Sequence, residues 1–133
     1  MAVLMFQPQI PVGRVLDKTG AAITSPAYAY GTAIAGALRF LMADVEVTFG
    51  DPASPDITVT LEALGSRFTG VESDRPSVGV AVEHTFSVAD GAVQQAKLLT
   101  NNLAAASQWR VGVKSAGAAD AGDRVTVDAQ GAE

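Results

Sequence analysis

Apolar and polar residues alternate with a period of two over much of this chain, the signature of strands with one buried and one solvated face. Val45, Val47 and Phe49 alternate with Asp44, Glu46 and Thr48. After the turn-forming run Asp51-Pro52-Ala53-Ser54-Pro55, Ile57, Val59, Leu61 and Ala63 alternate with Thr58, Thr60 and Glu62. Gly65 to Ser77, with Gly70, Pro76 and several charges, reads as a longer loop with a short strand around Phe68. Val78, Val80, Val82, His84, Phe86 and Val88 then share one face of the longest alternating run, which the turn dipeptide Asp90-Gly91 ends. Trp109, Val111 and Val113 alternate with Arg110, Gly112 and Lys114, and Val125, Val127 and Ala129 line one side of a last strand from Arg124 to Ala129. The pattern predicts an all-β fold of about seven short strands.

Val93 to Ala106 carries two signals. Ala96, Leu99 and Leu103 have helical spacing behind Asp90 as a cap, whereas a sandwich makes Val93 to Thr100 a strand followed by a corner that Leu103 anchors. The strand is preferred, because packing partners override local propensity. Residues 1 to 35 differ from everything after them. Pro8, Pro11, Gly13, Gly20, Pro26 and Gly31 leave space only for short extended pieces. Val15-Leu16 and Ala22-Ile23 flank Asp17-Lys18-Thr19-Gly20, a sequence suited to the turn of a small hairpin. Tyr28 and Tyr30 then share one side of a short strand. The expected organisation is an attachment arm over 1–35 and a sandwich domain over 36–133.

Leu103, six residues before the aromatic Trp109 that opens a strand, resembles the corner between the fifth and sixth strands of a fibronectin type III-like sandwich. With the final Val125-Val127 strand, that resemblance spans about 40 to 130 and implies an immunoglobulin-like β-sandwich with an extended N-terminal arm. The family's corner residue is normally tyrosine, so its hydroxyl hydrogen bond does not transfer to Trp109. Leu16 to Ile23, followed by Tyr28, Tyr30 and Gly31, looks like the lead-in segments of phage tail and fibre proteins. Together these likenesses imply a structural protein of a tailed-phage virion, either a head decoration or a tail-associated subunit. The implied partners are other capsid or tail proteins and further copies of the chain. Phe6, Ile10, Val12, Tyr28 and Tyr30 are the residues through which such an arm would bind. A carbohydrate-binding adhesion module of the same architecture, recognising a host-surface glycan, is the alternative.

Composition narrows the classes. The 133 residues suit one domain, which at this size buries about 70% of its unfolded surface. Apolar residues make up 48% and charged ones 17%, which excludes general disorder and leaves a surface suited to packing on other protein. The nine basic residues are scattered, and a net charge of −5 repels a phosphate backbone, so nucleic acid is not an expected partner. Without cysteine there is neither a disulfide nor a thiolate metal site. Met1 to Phe6 lacks a basic leader and runs into Pro8, and the greasy run Ala33 to Ala43 is broken by Arg39 short of the roughly 20 residues a membrane helix needs. The expectation is a soluble protein with no cleaved leader and no membrane insertion.

Candidate chemistry adds little. His84 is the single histidine and reads as a rim or structural residue. Asp51 with Asp56, Glu72 with Asp74 and Asp120 with Asp123 are read as turn residues rather than calcium ligands, because no twelve-residue loop alternates oxygen donors as a calcium loop does. No nucleophile elbow and no phosphate-binding glycine loop occurs in the sequence, so no enzyme, catalytic residue, metal or cofactor is expected. Trp109, Tyr28, Tyr30 and Phe68 are the aromatics able to stack a sugar ring, with Trp109 expected in the core.

Overall fold

The computed structural model describes residues 9–35, 40–64, 77–101 and 108–132. Nine strand segments occur among them: β1 (Gln9–Thr19), β2 (Ala29–Tyr30), β3 (Ile34–Ala35), β4 (Phe40–Thr48), β5 (Ile57–Leu64), β6 (Ser77–Phe86), β7 (Val93–Asn101), β8 (Gln108–Ser115) and β9 (Arg124–Ala132). They form two antiparallel sheets, one ordered β1-β9-β4-β7 and the other β2-β8-β5-β6, with β3 also on β8. The all-β expectation holds, and Val93–Asn101 is a strand, as preferred.

β2 and β3 are two pieces of one edge strand. Tyr30 pairs with Gly112 and Ile34 with Trp109, so both run antiparallel along the same side of β8. Counted so, the sheets hold strands 1-8-3-6 and 2-7-4-5 in sequence order, with the first and last strands side by side. That is the order of a jelly roll. An immunoglobulin sandwich instead places its first strand beside its second, in A-B-E-D and C-F-G sheets. The sandwich expectation therefore stands as two packed antiparallel sheets, and its immunoglobulin strand order is corrected. Leu103 and Phe68, on which the corner and the short loop strand rested, lie outside the described residues.

The inward faces of β4, β5, β8 and β9 are those the alternation marked, whereas in β6 a register shift between Val80 and Val82 breaks the one face expected from Val78 to Val88. Val45 and Val47 of β4 and Val125 and Val127 of β9 meet Ile57, Val59 and Leu61 of β5 and Trp109, Val111 and Val113 of β8 in one core, each at most 1% exposed. Side chains of this size contribute about 1.5–3 kcal/mol apiece on burial, and the β-branched ones suit the pleated surface.

Residues 9–35 are not a separate arm. β1 pairs with β9 from Gln9↔Ala132 to Thr19↔Arg124, and Val15, Leu16, Ile23 and Ile34 belong to the core. Register shifts on either side of Gly13 and Arg14, with Gly13 at φ +86°, let the adjacent residues Val15 and Leu16 both turn inward. The Val15 carbonyl then accepts the Thr32 N–H at 2.8 Å while Gly31 donates to the Val111 carbonyl at 2.9 Å, which ties the two sheets together along one seam. The domain boundary expected at 35/36 is thus absent from the described structure.

The hairpin expected around Asp17–Gly20 is also corrected. Asp17, Lys18 and Thr19 continue β1 opposite Thr126, Val125 and Arg124, and the chain turns only at a 3-10 turn, Gly20–Ala22, where Gly20 sits at φ +51°. Turn-forming residue types lose here to nine paired positions and to an ion pair between Arg124 and Asp17 at 3.0 Å.

Candidate functional site

β2 is only two residues long, yet with Tyr28 just before it, it carries a distinctive aromatic surface. Tyr28 and Tyr30 project from the outer face of the β2-β8-β5-β6 sheet with ring centroids 6.3 Å apart and planes inclined by 29°. The rings lie across Gly112 of β8, where a Cβ would come within 3.0 Å of Tyr30 and 3.2 Å of Tyr28. Glycine at 112 is what lets the two rings approach the sheet.

On either side of Gly112, the same face of β8 supplies Arg110 and Lys114. The Arg110 guanidinium carbon lies 3.6 Å from the Tyr30 ring centroid, and the Lys114 ammonium lies 4.7 Å from that of Tyr28. Arg110 also donates to the Glu62 carboxylate on β5 at 2.9 Å, the two side chains being 12% and 8% exposed. The guanidinium packs on the Tyr30 ring, and Tyr30 still keeps 37% of its surface exposed. Burial, with the Glu62 charge adding to it, pushes the Tyr30 hydroxyl above its ordinary pKa.

Beside Tyr30 the seam between the sheets opens into a groove of about 370 Å³, lined by Val15, Leu16, Asp17, Lys18, Gly31 and Thr32 as well as Tyr30. Lys18 faces Val125 in register and so leans toward the seam rather than the outer face of its sheet. The result is a half-exposed aromatic plate beside a groove with polar walls.

Of the residues expected to bind partners, Tyr28 and Tyr30 come together here. Ile10 lies on β1 opposite Gly131 and Val12 lies in the same strand, away from that pair, while Phe6 lies outside the described residues. Arg110, Glu62, Lys114 and Gly112 were not singled out from the sequence. The alternation around Trp109 puts Arg110, Gly112 and Lys114 on one polar face, but only the register of β2 against β8 brings that face under the tyrosines.

The other candidates resolve into structure. Trp109 is 1% exposed and belongs to the core. His84 is exposed at the β6 edge with its ring edge-on to Phe86 at 4.5 Å, a rim position. Asp123 is fully buried, and its carboxylate accepts from Gly50 N–H at 2.8 Å, Ser54 hydroxyl at 2.7 Å and Asp120 N–H at 2.9 Å. It fastens the β4–β5 and β8–β9 loops, so its lone pairs are directed at the protein itself. Among the described residues no three or more His, Asp or Glu side chains converge on one point, and no helix is long and apolar enough to cross a membrane.

The outer face of the β1-β9-β4-β7 sheet is polar, with Arg14 beside Asp128 at 2.6 Å and Arg124 beside Asp17 at 3.0 Å. Exposed pairs of this kind contribute little to stability. In comparisons with known proteins, the chain matches no protein-family model and no curated sequence.

Proposed function

We propose that this chain is a structural subunit of a tailed-phage virion, a head decoration or a tail-associated protein, that packs on other virion proteins and on its own copies. The observation that carries the reading is the strand order, 1-8-3-6 against 2-7-4-5. Jelly rolls recur in capsid subunits and in lectin domains. The likeness of Leu16–Ile23 and the following tyrosines to phage tail lead-in segments supports the virion over other jelly-roll settings. Because residues 9–35 belong to the sandwich, attachment passes to the body's own surface. β7 is an edge strand whose outer face exposes Val93 and Leu99, 60% and 65%, on either side of Gln95 and Lys97, and such an edge can pair with a strand of a neighbouring subunit.

Purified particles of the replicon that encodes the chain test this reading. Mass spectrometry should find the protein in stoichiometric amount, and Leu99→Lys should fold normally yet be depleted from particles. Particles that lack the protein refute the reading.

The Tyr28–Tyr30 plate favours a second reading, a carbohydrate-binding adhesion module. A flat aromatic face with hydrogen-bonding groups at its rim suits a pyranose ring, which is apolar on its faces and polar at its edge. A glycan array probed with the wild type and with Tyr28→Ala/Tyr30→Ala tests it, with adhesion lost in the double variant while its fold and association persist.

A further inference from the structure

Resting on that second reading, we infer that the plate and the adjoining seam groove form a single subsite for an acidic sugar, a pyranoside bearing a carboxylate. Three observations converge on it. The plate is held in place, because Arg110, itself fixed by Glu62 at 2.9 Å, packs on the Tyr30 ring and Gly112 lets both rings sit close to the sheet. A ligand stacking there meets side chains already in place and so loses less affinity to ordering.

The groove beside Tyr30, at about 370 Å³, lies at the lower end of the range for small-molecule sites and has space for one or two sugar rings. Its polar wall includes Lys18 and Thr32, and the Thr32 N–H is already spent on the Val15 carbonyl, leaving the side chains to meet a ligand.

Charge selects the acidic ligand. Arg110 is neutralised by Glu62 and Asp17 by Arg124, whereas Lys18 and Lys114 form no ion pair among the described residues. Lys114 stands over Tyr28 at one end of the plate, and Lys18 lines the groove at the other. The plate is thus flanked by two uncompensated cations on a molecule whose net charge is −5. A stacked uronate places its carboxylate toward one of them in a charge-assisted hydrogen bond, whereas a neutral hexose offers either ammonium only the weaker acceptor of a hydroxyl.

Titration of the intact protein with glucuronic and galacturonic acid methyl glycosides, their neutral hexose counterparts and uronate oligosaccharides tests the inference. Uronates should bind on the order of tenfold more tightly than neutral sugars, a ratio that 0.5 M salt reduces. Oligosaccharides binding more tightly than the monosaccharide identify a polysaccharide as the source of the ligand, and equal binding identifies free sugar acids. Lys18→Gln/Lys114→Gln should bring the uronate-to-neutral affinity ratio close to one, and Tyr30→Ala should weaken all sugars. Binding without any acid preference, or a preference that survives the double lysine substitution, overturns the acidic subsite and leaves the carbohydrate reading standing. Absence of all saccharide binding overturns both. Tyr30→Phe, which keeps the ring, separates lost stacking from lost folding.

Discussion

The Asp123 carboxylate and the Ser54 hydroxyl, 69 residues apart in sequence, share a 2.7 Å hydrogen bond with Asp123 wholly shielded from water. Gly50 and Asp120 add their N–H groups to the same carboxylate, so a single side chain satisfies donors from two loops. A methyl group in its place leaves three donors short of a partner. Asp123→Ala should cost about 3 kcal/mol in urea denaturation, and Asp123→Asn, which keeps one acceptor oxygen, clearly less.

Gly31 is fixed by proximity rather than by backbone conformation. A Cβ there would run into the Val15 carbonyl oxygen, a backbone atom that cannot swing aside and that is bonded to Thr32. Gly31→Ala should therefore prise the seam apart, at a cost of about 1–3 kcal/mol. Amide exchange should quicken at Thr32 while Val45 and Val127, deep in the core, retain protection.

The Arg124 guanidinium, through its hydrogen bond, holds the Asp17 carboxyl below its ordinary pKa. The sign follows from linkage: a lowered native pKa means the contribution is complete above the unfolded value and disappears as pH falls through the native one. Stability should decline less steeply between pH 5 and 2 in Asp17→Asn than in the wild type. Both residues are exposed, so the difference should shrink in 0.5 M salt, as measured by thermal melts across that pH range.

What the sequence reveals depends on the distance over which the information acts. The strands at Val45–Phe49, Ile57–Ala63 and Trp109–Val113 are legible because a two-residue period is local and each apolar parity is also the buried one. Asp17–Gly20 misleads for the same reason. Its residue types are those of a turn, and what keeps it extended is β9, more than a hundred residues away, through the Arg124–Asp17 pair. The strand order is hidden likewise, since the β1–β9 pairing leaves no mark in either segment alone. At the candidate site, Tyr28 and Tyr30 are visible as a same-side pair, but their support by Arg110, Glu62 and Gly112 comes from cross-strand register. Asp123 has a turn residue's identity and a core residue's burial, a combination that only the loop contacts reveal.

Trp109, the chain's single tryptophan, fills the core at 1% exposure, and among the described residues its indole N–H has no hydrogen-bond partner. Two opposing terms follow from that geometry. Truncation to alanine removes the whole ring and opens a cavity between the sheets, which should cost about 4 kcal/mol. Replacement by phenylalanine loses only part of the ring volume and also removes a buried donor whose desolvation costs about 1–3 kcal/mol. Trp109→Phe should therefore lie within about 1.5 kcal/mol of the wild type by urea denaturation followed by circular dichroism, far closer than Trp109→Ala. Wild-type fluorescence should be blue-shifted and should move to the red only with global unfolding. A Trp109→Phe variant as unstable as Trp109→Ala would mean that the indole nitrogen has a partner in solution and contributes to the fold.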